Sequence, residues 1–216
     1  MKNIKMIKFQ MPFRFIVIAL LILMTVSSCI IVKHDDEYIQ IEPEIAISPK
    51  PIIPLSENMI RSVKGDMIAF LPHGWFVIDP KDKVSPDIIA IAVNPEYNLS
   101  AVFSVIRNSA TVQEAFDGEG LYGVARMSLG KRERKTSSVV RQVGKYQKVN
   151  IGLQEFVKYE YSTTGGAIKA KSVVFISTAN EFYEFSLVPM VVDDNPLPNF
   201  SEADDIFTSI LTGIKY

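Results

Sequence analysis

The chain of 216 residues contains two nearly continuous apolar runs, IIAIAV at residues 88–93 and LSAVFSVI at residues 99–106. The short segment between them carries Asn94, Pro95 and Asn98, which are residue types typical of a turn. A strand with one solvent-exposed face has alternating apolar and polar residues, whereas these two runs are almost entirely apolar. The pattern therefore predicts a pair of strands inside a sheet that is covered on both faces.

Further strands are predicted on both sides of this pair. Five segments have apolar and aromatic residues in strand-like runs: 67–71, 139–149, 153–161, 168–176 and 182–188. Thr163-Thr164-Gly165-Gly166 has the composition of a hairpin turn, and Asn180-Glu181 marks the next turn. Strands joined by such short turns pair antiparallel, so most of the sheet is expected to be antiparallel.

A helical region follows the two apolar runs. Thr111 and Glu114 form a capping box at its start, and Gly130 is suited to its end. Three glycines weaken its middle and predict a break into two short helices: Gly118, Gly120 and Gly123. Residues 131–135 are then expected to form a basic loop.

The chain ends in a second helical region, with Ser201 as the predicted N-cap. Its apolar residues recur at helical spacing and predict one buried stripe: Ile206, Phe207, Ile210, Leu211 and Ile214. Strands, helix, strands and a terminal helix together predict an α+β fold over residues 59–216, a mostly antiparallel sheet flanked by helices.

The phrase Phe70-Leu71-Pro72-His73-Gly74-Trp75, the long hairpin from Tyr159 to Ile176 and the helix ending in Ile210-Leu211 resemble the PsbP-like α/β/α sandwich. That family includes extrinsic subunits of photosystem II, Ran-binding proteins and many exported bacterial domains. The resemblance implies the sandwich fold for residues 59–216. Trp75, the only tryptophan in the sequence, is expected in the core of this domain. It implies little about function, because one fold hosts many activities and no functional residue of the family maps onto this chain.

The N-terminal segment has the three parts of an export signal. Basic residues come first (Lys2, Lys5, Lys8 and Arg14), and the apolar run 15–26 follows. That run is too short to cross a bilayer, which needs about 20 residues. The ending Val26-Ser27-Ser28-Cys29 resembles the lipobox of bacterial lipoproteins, which implies cleavage after residue 28 and a diacylglycerol on Cys29. The alternatives are a plain signal peptide or an uncleaved anchor.

Residues 29–58 are predicted to tether the domain to the membrane. Four prolines make this stretch unsuited to a helix interior or a central strand: Pro43, Pro49, Pro51 and Pro54. The alternative is a covering strand over residues 38–47. Ile30 rather than an aspartate follows Cys29, which favours the outer membrane, and Lys33 to Glu37 is similar to the surface-export signals of Bacteroidetes lipoproteins.

Charge and cysteine content restrict the function. Removal of residues 1–28 leaves 19 basic and 24 acidic residues, a net charge of −5, which does not favour nucleic-acid binding. Cys29 is the only cysteine in the sequence, so its acylation excludes a disulfide, a thiolate metal site and a cysteine nucleophile. No cofactor and no metal site are predicted.

Several local patterns in the sequence are similar to catalytic or binding motifs. Residues 118–123 fit G-x-G-x-x-G, but a strand does not precede them and no acidic residue follows at the required spacing. His73 is a possible site in a predicted turn. Asp79, Asp82 and Asp87 are expected to be solvated rather than to act as acid and base. No catalytic residue is assigned.

The basic run Lys131-Arg132-Glu133-Arg134-Lys135 supplies the possible partner contacts, namely Lys131, Arg132, Arg134 and Lys135. The expected function is a non-enzymatic binding or scaffold module in the cell envelope, held at the membrane through Cys29 and contacting an envelope protein. The alternative is an envelope hydrolase or isomerase whose site residues meet only in space.

Overall fold

A computed structural model describes residues 40–78, 84–136, 139–163, 166, 168–192 and 195–216. The signal segment, Cys29 and the charged run 33–37 lie outside the described residues, as do Asp79, Asp82 and part of the 163–166 turn.

Strands account for more of the described chain than helices do. There are eleven in its described part: β1 (Ile41–Ile47), β2 (Leu55–Arg61), β3 (Ile68–Pro72), β4 (Phe76–Ile78), β5 (Ile88–Val93), β6 (Leu99–Ile106), β7 (Arg141–Ile151), β8 (Gln154–Thr163), β9 (Ile168–Ile176), β10 (Phe182–Pro189) and β11 (Ile214–Lys215). Eight form one sheet in the order β1-β7-β8-β9-β10-β6-β5-β4, and three form a small sheet, β11-β3-β2. All pairs are antiparallel except β1 with β7.

Helices cover both faces of the large sheet. They are α1 (Ala110–Glu119), α2 (Leu121–Lys135) and α3 (Phe200–Thr212). One apolar core joins the sheet to α3 and the small sheet, and it includes Trp75, Phe185 and Phe207. A second core lies beneath α1 and α2 and includes Val124 and Tyr159. The predicted α+β class, a mostly antiparallel sheet flanked by helices, is confirmed.

The predicted tether is wrong for residues 40–58, which belong to the folded domain. Residues 41–47 form the edge strand β1, where Ile41 lies opposite Tyr146 and Ile47 opposite Ile151. Proline is tolerated there because the strand is at an edge and its register shifts between Glu42 and Ile45. Further along, the Ser209 hydroxyl accepts hydrogen bonds from the backbone N–H groups of residues 52 and 53, at 3.1 and 2.8 Å.

The predicted helix boundaries need three corrections. Ser109 rather than Thr111 caps α1, and its hydroxyl accepts from the Val112 N–H at 3.3 Å. Asn199 rather than Ser201 caps α3. Helix α2 continues past Gly130 to Lys135, so the basic run is helical rather than a loop. The first and last residues of a helix depend on where that helix meets the sheet, and local propensity does not encode this.

The predicted break between two helices is confirmed at Gly120, whose φ of +62° suits glycine. Gly123 has a different role, because it lets α2 approach α1 closely. A Cβ at residue 123 would lie 2.2 Å from the carbonyl oxygen of Ala115. The sequence-based interpretation of these glycines as packing and helix-break residues therefore agrees with the geometry.

Gly123→Ala is expected to lower the free energy of unfolding by about 1–3 kcal/mol, because the added methyl group overpacks the α1–α2 contact. Gly130→Ala in the same helix is the matched control. Its Cβ would have only the Arg134 guanidinium nearby, at 3.4 Å, so helix propensity should make it neutral or stabilising by up to about 1 kcal/mol. Urea unfolding of both variants measures the difference, and equal effects would contradict the packing role.

The carboxylate of Asp66 connects the β2–β3 turn to the end of β9 and the start of β10. Asp66 accepts hydrogen bonds from the hydroxyls of Ser62 at 2.7 Å, Ser177 at 2.5 Å and Tyr183 at 2.7 Å. Burial opposes the charged form, but the three hydroxyls hold the pKa of Asp66 below its usual value. Burial and the hydrogen bond to Asp66 raise the pKa of Tyr183 to about 12.

Acid is therefore expected to remove the contribution of Asp66 to stability. A carboxylate whose pKa is lower in the folded state stabilises the fold above its unfolded pKa, near 4. That stabilisation is lost as the pH falls through the folded pKa. The stability gap between wild type and Asp66→Asn should shrink from pH 6 to pH 3, as measured by urea unfolding at each pH. The exposed Glu57→Gln is the control, and a gap that stays constant with pH would refute the assignment.

Candidate functional site

The helical layer formed by α1 and α2 is narrower than the sheet beneath it. Helix α2 packs against β7, β8 and β9, and Phe116 of α1 contacts Phe182 at the start of β10 at a ring distance of 5.1 Å. Two helices span about 20 Å, which matches four or five strands at about 4.8 Å spacing. Strands β6 and β5 come after β10 in the sheet, so part of this face extends past the helices.

A cavity of about 510 Å³ lies where the helical layer ends and the sheet continues to β6 and β5, and we call it the α2 cleft. Its apolar lining comes from both layers: Ile88, Val102, Val105, Ile106, Val112 and Met127. Along β6 the residues Ala101 and Phe103 are fully buried, whereas Val102, Ser104 and Ile106 are only half-buried. The prediction that both faces of this strand are covered is thus wrong for its second half, because the helical layer ends before reaching it.

The inner end of the cleft holds a buried ion pair. Glu184 of β10 is 4% exposed, and Arg132 of α2 donates to it through Nη2 at 2.7 Å. Glu184 also accepts hydrogen bonds from the Ser128 hydroxyl at 3.0 Å and from the Tyr159 hydroxyl. The guanidinium also donates to Ser186 Oγ at 3.1 Å and lies 5.2 Å from the ring centre of Tyr161. The carboxylate is therefore occupied by three donors.

The surroundings raise the pKa values of two members of this network. Burial is the largest single influence on Arg132 and disfavours its charge, but the charge and hydrogen bond of Glu184 together with the nearby Tyr159 and Tyr161 outweigh burial, so the pKa of Arg132 is raised above its usual value. Burial, reinforced by Glu184, raises the pKa of Tyr159 well above its usual value, so this phenol stays neutral. The Nε of Arg132 is buried with no hydrogen-bond partner among the described residues, so the protein leaves one guanidinium donor unused.

The outer part of the cleft is positively charged. Asp87 pairs with Arg107 at 2.5 Å and with Lys131 at 3.5 Å. Arg134 and Lys135 are exposed, and neither forms an ion pair within the described part of the chain. The described lining has five lysine and arginine side chains against two carboxylates, an excess of three positive charges in a chain whose net charge is negative.

The four basic residues singled out by the sequence all line this cleft, although they differ in role. Lys131, Arg134 and Lys135 are exposed, whereas Arg132 is held by Glu184. Sequence reasoning missed Glu184. Its signal was an acidic residue inside the aromatic strand FYEFSLVP, since a charge in a buried strand requires a partner.

The other candidates lie elsewhere or are paired. His73 is exposed on the turn between β3 and β4 and does not line the cleft. Asp87 lines it, but as the partner of two cations. The G-x-G-x-x-G residues span the junction of α1 and α2, after a helix rather than a strand. Within the described ranges there is no cluster of three or more histidine, cysteine or acidic side chains placed to hold a metal.

None of the helices formed by the described residues has the length and hydropathy needed to cross a membrane. No protein-family model and no curated protein sequence matches this chain. Solved structures do match.

The solution structure of cyanobacterial PsbP (CyanoP) from Synechocystis sp. PCC 6803 is 14% identical, with a TM-score of 0.51, over 73% of this chain and 91% of that one. A crystal structure from Bacteroides thetaiotaomicron VPI-5482 is also 14% identical, with a TM-score of 0.36. It aligns over 73% of this chain, which spans about half of that protein, 47% of its length. From the element order and the CyanoP match, the chain has the fold of PsbP-like proteins.

Proposed function

We propose that this chain is an exported lipoprotein, anchored through Cys29, whose domain is a non-enzymatic binding module that uses the α2 cleft. The observation that carries the proposal is the composition of this cleft. It is concave, it combines an apolar floor with an excess of positive charge, and a buried ion pair fixes its inner end. Pockets with mostly apolar walls and a few placed polar groups are typical of ligand sites.

The state of the charged groups favours binding over catalysis. A general base needs a free lone pair near the reacting proton. Glu184 is instead occupied by three donors, and Asp87 is shared by Arg107 and Lys131. Tyr159 stays neutral because its pKa is raised. Glu184, Asp87 and Tyr159 therefore suit a site with fixed charges that binds a ligand better than one that transfers protons.

Membrane attachment is supported by the lipobox at residues 26–29, and Ile30 after the cysteine favours the outer membrane. The experiment is an intact-mass measurement of the protein extracted from membranes. A chain that starts at Cys29 and carries lipid mass is expected, and Cys29→Ala should move the protein to the soluble fraction. A mature chain that starts elsewhere, or one without lipid, would refute the anchor.

The binding role is tested by crosslinking in intact cells followed by pull-down of the full-length protein. We propose an envelope protein as partner, contacted by the exposed cations of α2. Arg134→Gln/Lys135→Gln should reduce its recovery, since it removes two unpaired charges while keeping helix propensity. Lys50→Gln/Arg61→Gln is the matched control, because it removes two exposed charges away from the cleft. Turnover of a substrate that depends on Glu184 would overturn the binding role.

A further inference from the structure

We propose that the α2 cleft binds a small anionic amphiphile, a molecule with one acidic head group and a short apolar tail. This inference rests on the proposed binding function and names the chemistry of the ligand. Two separate properties of the cleft lead to it, the apolar floor and the unpaired cations beside it.

The floor requires an apolar ligand. Val102 and Ile106 extend from the uncovered half of β6, and Ile88 lies beside them at the start of β5. Met127 of α2 and Val112 of α1 face them from the helical layer. Except for the buried Val112, these side chains are half-buried, and in a concave site they gain from any alkyl group that displaces water from them. The cavity of about 510 Å³ lies within the range of small-molecule sites.

The head group must be acidic. The two carboxylates of the cleft are already neutralised, Asp87 by Arg107 and Lys131 and Glu184 by Arg132. Arg134 and Lys135, which line the cleft and have no ion-pair partner within the described ranges, are therefore left to attract an anion. A carboxylate or a phosphate monoester meets this requirement, since both accept charge-assisted hydrogen bonds from arginine and lysine.

The cleft also restricts the size of the ligand. Its lining includes the buried ion pair between Arg132 of α2 and Glu184 of β10, which bridges the two layers. An apolar tail beyond that point would bury a charged pair against hydrocarbon, which is unfavourable. The ligand is thus expected to have a head group near Arg134 and Lys135 and a tail that ends before Glu184.

The test measures binding of defined amphiphiles to residues 29–216, with Cys29→Ser to leave the chain without lipid. Calorimetric titrations use hexanoate, octanoate and decanoate below their micelle concentrations, octyl phosphate, neutral octanol and inorganic phosphate. Burial of each added methylene should strengthen binding roughly three- to fourfold, so decanoate should bind on the order of 100-fold more tightly than hexanoate. Octanoate and octyl phosphate should both bind more tightly than octanol.

Two further measurements locate the site. Arg134→Gln/Lys135→Gln should weaken octanoate binding at least fivefold and remove the preference over octanol, whereas Lys50→Gln/Arg61→Gln should not. In wild-type protein, octanoate should shift the methyl NMR signals of Val102, Ile106 and Met127. This readout requires no variant, so it holds even if a substitution affects folding.

Several outcomes would overturn the inference. Inorganic phosphate binding as tightly as octyl phosphate would indicate an anion site without a tail pocket, and equal binding of octanol would indicate a purely apolar site. Binding to phosphatidylglycerol vesicles, without binding of the monomeric amphiphiles, would indicate a membrane surface. If no amphiphile binds while cleft-dependent crosslinking captures an envelope protein, this inference fails and the proposed function stands. If both experiments fail, the proposed function fails with it.

Discussion

Arg132→Ala is expected to lower the free energy of unfolding by about 3 kcal/mol. Removing one partner of a buried ion pair leaves an uncompensated charge, which typically costs 3–5 kcal/mol. The low end applies because about 30% of the Arg132 side chain is exposed, whereas Glu184 is only 4% exposed. The loss is measured by urea unfolding of residues 29–216, monitored by circular dichroism.

The neighbouring Arg134→Ala is the matched control for this prediction. It is the same substitution on the same helix, but the Arg134 side chain is exposed, so its effect should stay within about 0.5 kcal/mol. Glu184→Gln/Arg132→Met should recover part of the loss, because the amide still accepts from Tyr159 and no charge is left buried. If Arg132→Ala and Arg134→Ala had the same small effect, the buried pair would not stabilise the fold.

Trp75→Ala is expected to cost about 3–5 kcal/mol, the usual loss for a large aromatic side chain removed from a core. Trp75 is 4% exposed and belongs to the core between the large sheet, α3 and the small sheet. It precedes β4, where the turn from Pro72 directs the chain from one sheet to the other. The loss is a large fraction of the total stability of a domain, so a clear fall in the melting temperature is expected.

Phe76→Ala is the control for Trp75→Ala. The two aromatic residues are adjacent, but Phe76 is 37% exposed on the edge strand β4 and contacts the ring of Tyr97 at 5.5 Å. Its loss should cost clearly less than that of Trp75, because Phe76 is already partly exposed and its contact with Tyr97 adds only about 0.5–1.5 kcal/mol beyond the area that it buries. Equal melting temperatures for wild type and Trp75→Ala would show that the core does not depend on this side chain.

The sequence was sufficient to predict the fold class. Turns with specific residue types at Asn94 to Asn98 and at Asn180 specify antiparallel pairing locally, and the structure has both of these turns. Four members of the predicted stripe are buried in α3, namely Ile206, Phe207, Ile210 and Leu211. The fifth, Ile214, is also buried, but it belongs to β11 and pairs with Ala69 of β3 rather than continuing the helix. Such features are visible in sequence because each depends on residues that are close together along the chain.

The sequence was insufficient where a segment's structure depends on a distant partner. Residues 41–47 contain a proline and read as a spacer, yet they form a strand because β7, about 100 residues later, offers a free edge. Likewise, the apolar residues Val102 and Ile106 predicted a covered strand. Whether they are covered depends on how far α1 and α2 extend across the sheet, which no local pattern states.

The candidate site shows the same division. The sequence by itself pointed to the basic run 131–135 and predicted a lipobox at residues 26–29, because both patterns are contiguous. Only the tertiary structure decided that Arg132 pairs with Glu184, 52 residues away, while Arg134 and Lys135 remain exposed. The physical reason differs for the two residues. Along α2, at 3.6 residues per turn, Arg134 lies about 200° around the helix from Arg132 and so turns away from the sheet. Lys135 is on the same side as Arg132, but it is the last residue of α2 and is exposed at the helix end.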